Sequence, residues 1–303
     1  TYDFAGRVTT AVSAHPKIDP KTGDMHFFGY SLFAPPYVTY YVANKAGIVT
    51  RVMPLEFPHA TIVHDAQITD RSIIFAATPL TFDMQRAMTG QSPMVWKPEL
   101  GTTFVIVDRI DTNKKPLWVK AEPFYFWHYA NGFEEAGQIQ LDLVRNDLAF
   151  TTGNAPSLHR VTIDTNMRTA KVRQTNDRSS EFPRINPDQT GQPYRMAYVP
   201  IADGNAPAHG FTALLQFDST TEQTKVHTFG RGRSPGEACV VAKANGRSPE
   251  DAWIMTFVYD AATNRSDFVI LDGSAFDQEP VASVHLPVRV PFGLHGNWVP
   301  GAF

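Results

Sequence analysis

Trp253-Ile254-Met255-Thr256-Phe257-Val258-Tyr259 is a short run of aromatic, β-branched and apolar residues, and Asp267-Phe268-Val269-Ile270-Leu271 follows it, closed by the turn signal Asp272-Gly273. Runs of this composition bounded by turn residues read as β-strands. The same pattern recurs at 37–42, 72–76, 103–107, 138–144, 160–163 and 213–217, and Asp203-Gly204 and Asn245-Gly246 are further turn signals. Helix signals are sparse, and 23 prolines and 20 glycines punctuate the chain. The expected class is all-β: a sandwich, barrel or propeller. The polar stretches 146–157 and 173–180 are too short to mark a boundary, so one domain over residues 1–303 is expected.

Composition narrows the function classes. Hydrophobic residues are 43% and charged residues 19%, as in a folded globular chain. The net charge of −3 offers no basic surplus to neutralise a phosphate backbone, which argues against a nucleic-acid partner. Cys239 is the only cysteine, so no intramolecular disulfide forms; a reducing, cytoplasmic setting is the expectation, and a buried inert thiol is the ordinary reading. No apolar run is long enough for a transmembrane helix, which leaves peripheral membrane contact open.

Ten histidines are present, without a His-Glu-x-x-His, Cys-x-x-Cys or His-x-His pattern. A zinc finger or zinc protease is therefore not indicated, and any metal ligands must come from distant segments. Four histidines sit at the edges of strand-like runs in aromatic or proline-rich settings: His15 in Ala14-His15-Pro16-Lys17-Ile18-Asp19-Pro20, His64 in Val63-His64-Asp65-Ala66-Gln67, His128 in Phe126-Trp127-His128-Tyr129-Ala130-Asn131 and His295 in Pro291-Phe292-Gly293-Leu294-His295-Gly296. Taken singly, each reads more naturally as a satisfied core histidine than as a ligand. The other six lie in polar or turn-like segments, with surface or ordinary structural roles as the default.

Taken together and in order, these four segments resemble the iron-histidine segments of the carotenoid cleavage oxygenases. The first continues through Phe28-Gly29-Tyr30. The third resembles an aromatic-His-x-x-Asn-Ala-aromatic-Glu pattern, with Gly132 where alanine is usual. Glu181-Phe182-Pro183-Arg184 and Ser234-Pro235-Gly236-Glu237 resemble the places where the family carries acidic residues behind the ligands. The resemblance runs over essentially the whole chain. That family includes carotenoid and apocarotenoid cleavage enzymes, lignostilbene dioxygenases and a retinoid isomerase of the eye.

The resemblance implies a seven-bladed β-propeller and Fe(II) held by His15, His64, His128 and His295. It also implies that Glu181 and Glu237 accept the distal N–H of ligand histidines; read without it, they are a surface loop residue and a turn residue. Four neutral imidazoles suit a metal that keeps open positions for O₂. The implied reaction adds both atoms of O₂ across a C=C bond of a carotenoid or apocarotenoid, giving two carbonyl products. A stilbenoid-cleaving enzyme of the same family and a catalytically silent binding propeller are the alternatives. Only fourteen residues precede His15, where the family carries a longer segment. An incomplete propeller with an unpaired strand edge and poor solubility is expected on that ground.

Overall fold

Strands dominate the computed structural model, which describes residues 2–147, 155–202 and 210–301. Seven of the eight runs read as strands fall within one, and the eighth, 37–42, starts one residue before Val38–Ala43; for example, 72–76 lies in Ser72–Ala77, 138–144 in Gln138–Asn146 and 253–259 in Ala252–Asp260. Asp203-Gly204, His209 and most of the polar stretch after Asn146 lie outside the described residues. The one α-helix among them is Met84–Met88, capped by the Asp83 side chain. No helix of the described residues is long and apolar enough to cross a membrane.

The chain divides into two compact units. The first comprises residues 1–154, 159–174 and 190–193, and contains three four-stranded antiparallel sheets. The first of these takes Lys17–Ile18, Met25–Tyr30, Val38–Ala43 and Val49–Leu55 in chain order. The second has Ser72–Ala77 and Thr102–Asp108 at its centre, with the ribbon Leu80–Phe82 and Met94–Trp96 inserted between them. The third runs Tyr125–Glu135, Gln138–Asn146, Ser157–Asp164 and Thr169–Gln174.

The central strands of the second sheet show why their sequences are apolar without alternation. Ile73, Phe75, Ala77, Val105 and Val107 pack with Phe28, Tyr40 and Leu55 of the first sheet. Ile74, Ala76, Phe104 and Ile106 pack on the other face with Phe126, Leu141 and Leu143 of the third. A strand buried on both faces has no solvent side to carry polar residues. Phe75 is fully buried, and its truncation to alanine would cost about 3–5 kcal/mol.

The second unit comprises residues 155–158, 175–189 and 194–303, with two sheets. One centres on Met196–Ala202 and Ala213–Asp218, the other on Ala252–Asp260 and Arg265–Asp272. Side chains of both sheets, among them Tyr198, Leu214, Ile254 and Val269, form one core with Phe276.

Some local readings are corrected. The turn signal Asp272-Gly273 opens a one-turn helix rather than a tight turn: Asp272 caps Gly273–Ala275. Glycine is needed there for close approach, since a Cβ would lie 2.5 Å from the Glu250 carbonyl oxygen. Cys239 is half-buried rather than enclosed, and burial pushes its thiol pKa up. His26 and His227 are not surface residues but buried strand residues with hydrogen-bonded rings.

Candidate metal centre

The residues before His15 lie along the strand Met25–Tyr30, with Ser13 N–H donating to the Phe28 carbonyl at 2.9 Å. Gly29 makes this approach possible: a Cβ there would fall 1.9 Å from Thr10 Oγ1 and 2.2 Å from the Ala11 carbonyl oxygen. Ser13 Oγ then donates to the His64 carbonyl oxygen at 2.7 Å and accepts the His15 N–H at 3.3 Å. The first histidine segment is thus tied to the second through a single hydroxyl.

His128 lies within the long strand Tyr125–Glu135. Its register against Gln138–Asn146 is broken around His128. The pairs Phe126↔Arg145 and Asn131↔Asp142 show the strand advancing five residues while its partner advances three. Bulges of this kind re-aim a side chain beside a site. The bulge is held from outside the ladder. Tyr129 N–H donates to Asp65 Oδ2 at 3.0 Å, and Asn131 Oδ1 accepts from Gln67 Nε2 at 3.0 Å. Residues one and three beyond His64 thus bind residues one and three beyond His128.

Asp65 is buried and meets Lys17 Nζ at 2.8 Å. Burial pushes its carboxyl up, but the Lys17 ammonium beside it outweighs this and holds the group below the usual carboxylate range. Asp65 is therefore an anion beneath the histidines.

Three imidazoles of this unit converge. His15 Nε2 and His64 Nε2 are 3.1 Å apart, and the ring of His128 is 4.9 Å from that of His15 and 5.0 Å from that of His64. One ring nitrogen from each lies within 4.8 Å of the others. Trp127 stands edge-on to His64 at 5.0 Å. The donor set fits a metal. Facing lone pairs of neutral imidazoles repel unless a proton or a cation lies between them. Two imidazole nitrogens 3.1 Å apart can both bond one ion at the usual metal–nitrogen length of about 2.1 Å.

A cleft of about 880 Å³ opens against His64 and is lined by Thr9, Ala11, Ala14, Tyr30 and Phe33 among others.

In the second unit, His295 Nδ1 is 3.0 Å from Glu237 Oε1, and Gly296 N–H donates to Glu237 Oε2 at 2.9 Å. Arg184 Nη1 donates to the same Oε1 at 3.0 Å. Burial pushes the Glu237 carboxyl up, but His295, Arg184 and the Gly296 amide together hold it below its ordinary value. An imidazole donating through Nδ1 to this carboxylate presents its Nε2 lone pair outward. Glu181 accepts the backbone N–H of Phe182, whose ring lies 5.4 Å from that of His295.

Of the residues singled out by sequence, His15, His64 and His128 are brought together in the first unit. His295 and Glu237 are paired in the second, where Glu181 neighbours the Phe182 packed on His295. Lys17, Asp65, Ser13, Gln67 and Gly29 were not assigned roles, although the resembling motifs contain Lys17, Asp65, Gln67 and Gly29.

The family profile described as "Retinal pigment epithelial membrane protein" matches residues 1–300. The chain belongs to this family, that of the carotenoid oxygenases. Similar proteins include isoeugenol monooxygenase of Pseudomonas nitroreducens, 30% identical over 99% of this chain and 68% of the relative. Another is carotenoid 9,10(9',10')-cleavage dioxygenase 1 of Arabidopsis thaliana, 29% identical over 98% of this chain and 59% of the relative. Among solved structures, Pseudomonas brassicacearum lignostilbene dioxygenase superposes with a TM-score of 0.91 at 25% identity, covering 99% of this chain and 68% of that one. The chain thus spans about three-fifths to two-thirds of the length of these proteins. Its fold is the β-propeller fold of the carotenoid oxygenases, and its class is that of the oxygenase enzymes.

Proposed function

We propose that this carotenoid oxygenase family member cleaves a C=C bond of an apolar conjugated alkene with O₂, giving two carbonyl products, at Fe(II) held by His15, His64, His128 and His295. The observation that carries this reading is the convergence of the His15, His64 and His128 imidazoles in one unit of an oxygenase-family chain. His295 is proposed as the fourth ligand because its Glu237 partner fixes it to bind through Nε2. Glu181 and Glu237 are proposed to support the ligands from behind, and residues 1–303 to act as one catalytic domain in a reducing, cytoplasmic compartment.

When bound, Fe(II) would supply open coordination positions and the redox chemistry that O₂ activation requires. The chain's own residues do the rest. Four neutral imidazoles provide ligand nitrogens without charge, and the Glu237 carboxylate holds His295 in the Nδ1–H tautomer. The cleft against His64 offers an alkene a partly apolar approach through Tyr30 and Phe33. A site screened from water protects reactive intermediates.

A carotenoid or apocarotenoid is the leading substrate. A stilbenoid or phenylpropanoid is supported by the relatives that act, by name, on isoeugenol and lignostilbene. Incubation of the iron-loaded protein with an apocarotenoid and with a hydroxystilbene, with aldehyde products resolved by chromatography, tests the reading. Cleavage of at least one is expected, and its loss in His128→Ala. Absence of carbonyl products from both, with iron bound, would contradict it.

A further inference from the structure

One buried carboxylate touches all three histidine-bearing segments of the first unit. Asp65 follows His64 directly. Its Oδ1 receives Lys17 Nζ at 2.8 Å and the Ala66 N–H at 2.7 Å, and its Oδ2 receives the Tyr129 N–H at 3.0 Å. Lys17 stands two residues beyond His15, and Tyr129 one beyond His128. The three donors therefore come from the three segments that carry His15, His64 and His128.

We propose that Asp65, held by Lys17, is a positioning residue: it fastens the three histidine segments to one another so that their imidazoles face a common point before metal arrives. The proposal rests on the metal reading above. Stability alone accounts poorly for the arrangement, because a buried ion pair loses in desolvation much of what it gains in attraction. An apolar pair would fill the same space. It could not accept the N–H that the bulge at His128 turns towards Asp65. Only a short carboxylate satisfies that amide and answers a lysine on the other oxygen. Ser13 adds a second tie between the His15 and His64 segments, and Gln67 a second between the His64 and His128 segments; Asp65 is the point at which all three meet.

Cobalt(II) titration of the metal-free protein reads this directly, since bound cobalt reports ligand geometry through its visible absorption. Three variants are compared with wild type: Asp65→Asn, Lys17→Met and the double variant, each also followed by circular dichroism and thermal melting. Asp65→Asn is expected to weaken cobalt binding on the order of 10- to 100-fold and to alter the visible band. The double variant leaves no uncompensated buried charge, so it should melt closer to wild type than either single variant while its cobalt affinity stays low. Wild-type cobalt affinity and spectrum in Asp65→Asn would overturn the proposal. So would recovery of both stability and cobalt affinity in the double variant, which would make the pair merely structural. If wild-type protein itself takes up no cobalt, the ligand assignment fails, and the positioning role fails with it.

Discussion

At the scale of single residues, the second unit offers the most direct test of how a ligand is prepared. Glu237 is fixed by Arg184, Gly296 N–H and His295 at once. Glu237→Gln keeps the shape but replaces one acceptor oxygen by a donor, which sets an N–H against either the imidazole Nδ1–H or the Gly296 amide. Iron retention should fall on the order of 10- to 100-fold, measured by metal content after dialysis against a chelator. Retention equal to wild type would show that Glu237 has no bearing on the metal. Glu237 and His295 lie far apart in sequence; the family resemblance set Glu237 behind a ligand histidine without saying which, and composition and spacing could not. Asp65 shows the opposite limit. It sits in the same motif as His64, yet its role depends on a bulge in the distant segment Tyr125–Glu135, and ladder register leaves no mark on the sequence.

At the scale of elements, strand positions were legible because their apolar runs end at turn residues, and burial on both faces kept runs such as Ser72–Ala77 continuous. What the runs did not reveal is where a strand departs from regularity. Gly29 is the clearest case. It lies within an ordinary strand pattern, but its missing side chain is the space that the Thr10 side chain and the Ala11 carbonyl occupy. In Gly29→Ala the added Cβ meets backbone as well as a side chain, so the segment leading to His15 must move. The variant should lose about 1–3 kcal/mol of stability by overpacking and should also bind metal more weakly. Chemical denaturation and cobalt titration measure the two effects. A variant that melts and binds like wild type would show that the segment is not seated against the strand.

At the scale of the whole molecule, three four-stranded and two five-stranded antiparallel sheets carry most of the described chain, and a buried polar network in the first unit shapes its response to acid. Arg109 donates to His26 Nε2 at 2.9 Å and pairs with Asp19 and the Thr69 carbonyl, while His26 Nδ1 meets Tyr40 Oη at 2.6 Å. Burial, reinforced by the Arg109 guanidinium, lowers the His26 pKa to about 3. An unfolded histidine titrates near 6.5, so between pH 6.5 and about 3 the unfolded state binds a proton that the folded state refuses. Stability should therefore fall through that window as pH drops, by up to about 1.4 kcal/mol per pH unit from this residue. His227, also lowered by burial, acts in the same direction. Asp19 and Asp65, whose pKa values are depressed, add a further loss as pH falls below the ordinary carboxylate range. Urea unfolding at pH 7 and pH 4.5 should show the drop, and His26→Gln should shrink it; an unchanged slope in the variant would assign the effect elsewhere. The chemistry of the assembled molecule is tested most directly by one comparison. Metal-free protein is loaded in parallel with Fe(II), with Zn(II) and with no metal, and each sample is assayed for carbonyl products from the conjugated alkene. Zinc has no redox chemistry with which to activate O₂, so only the Fe(II) sample should form product. Equal activity in all three samples would contradict an iron-dependent oxygenase.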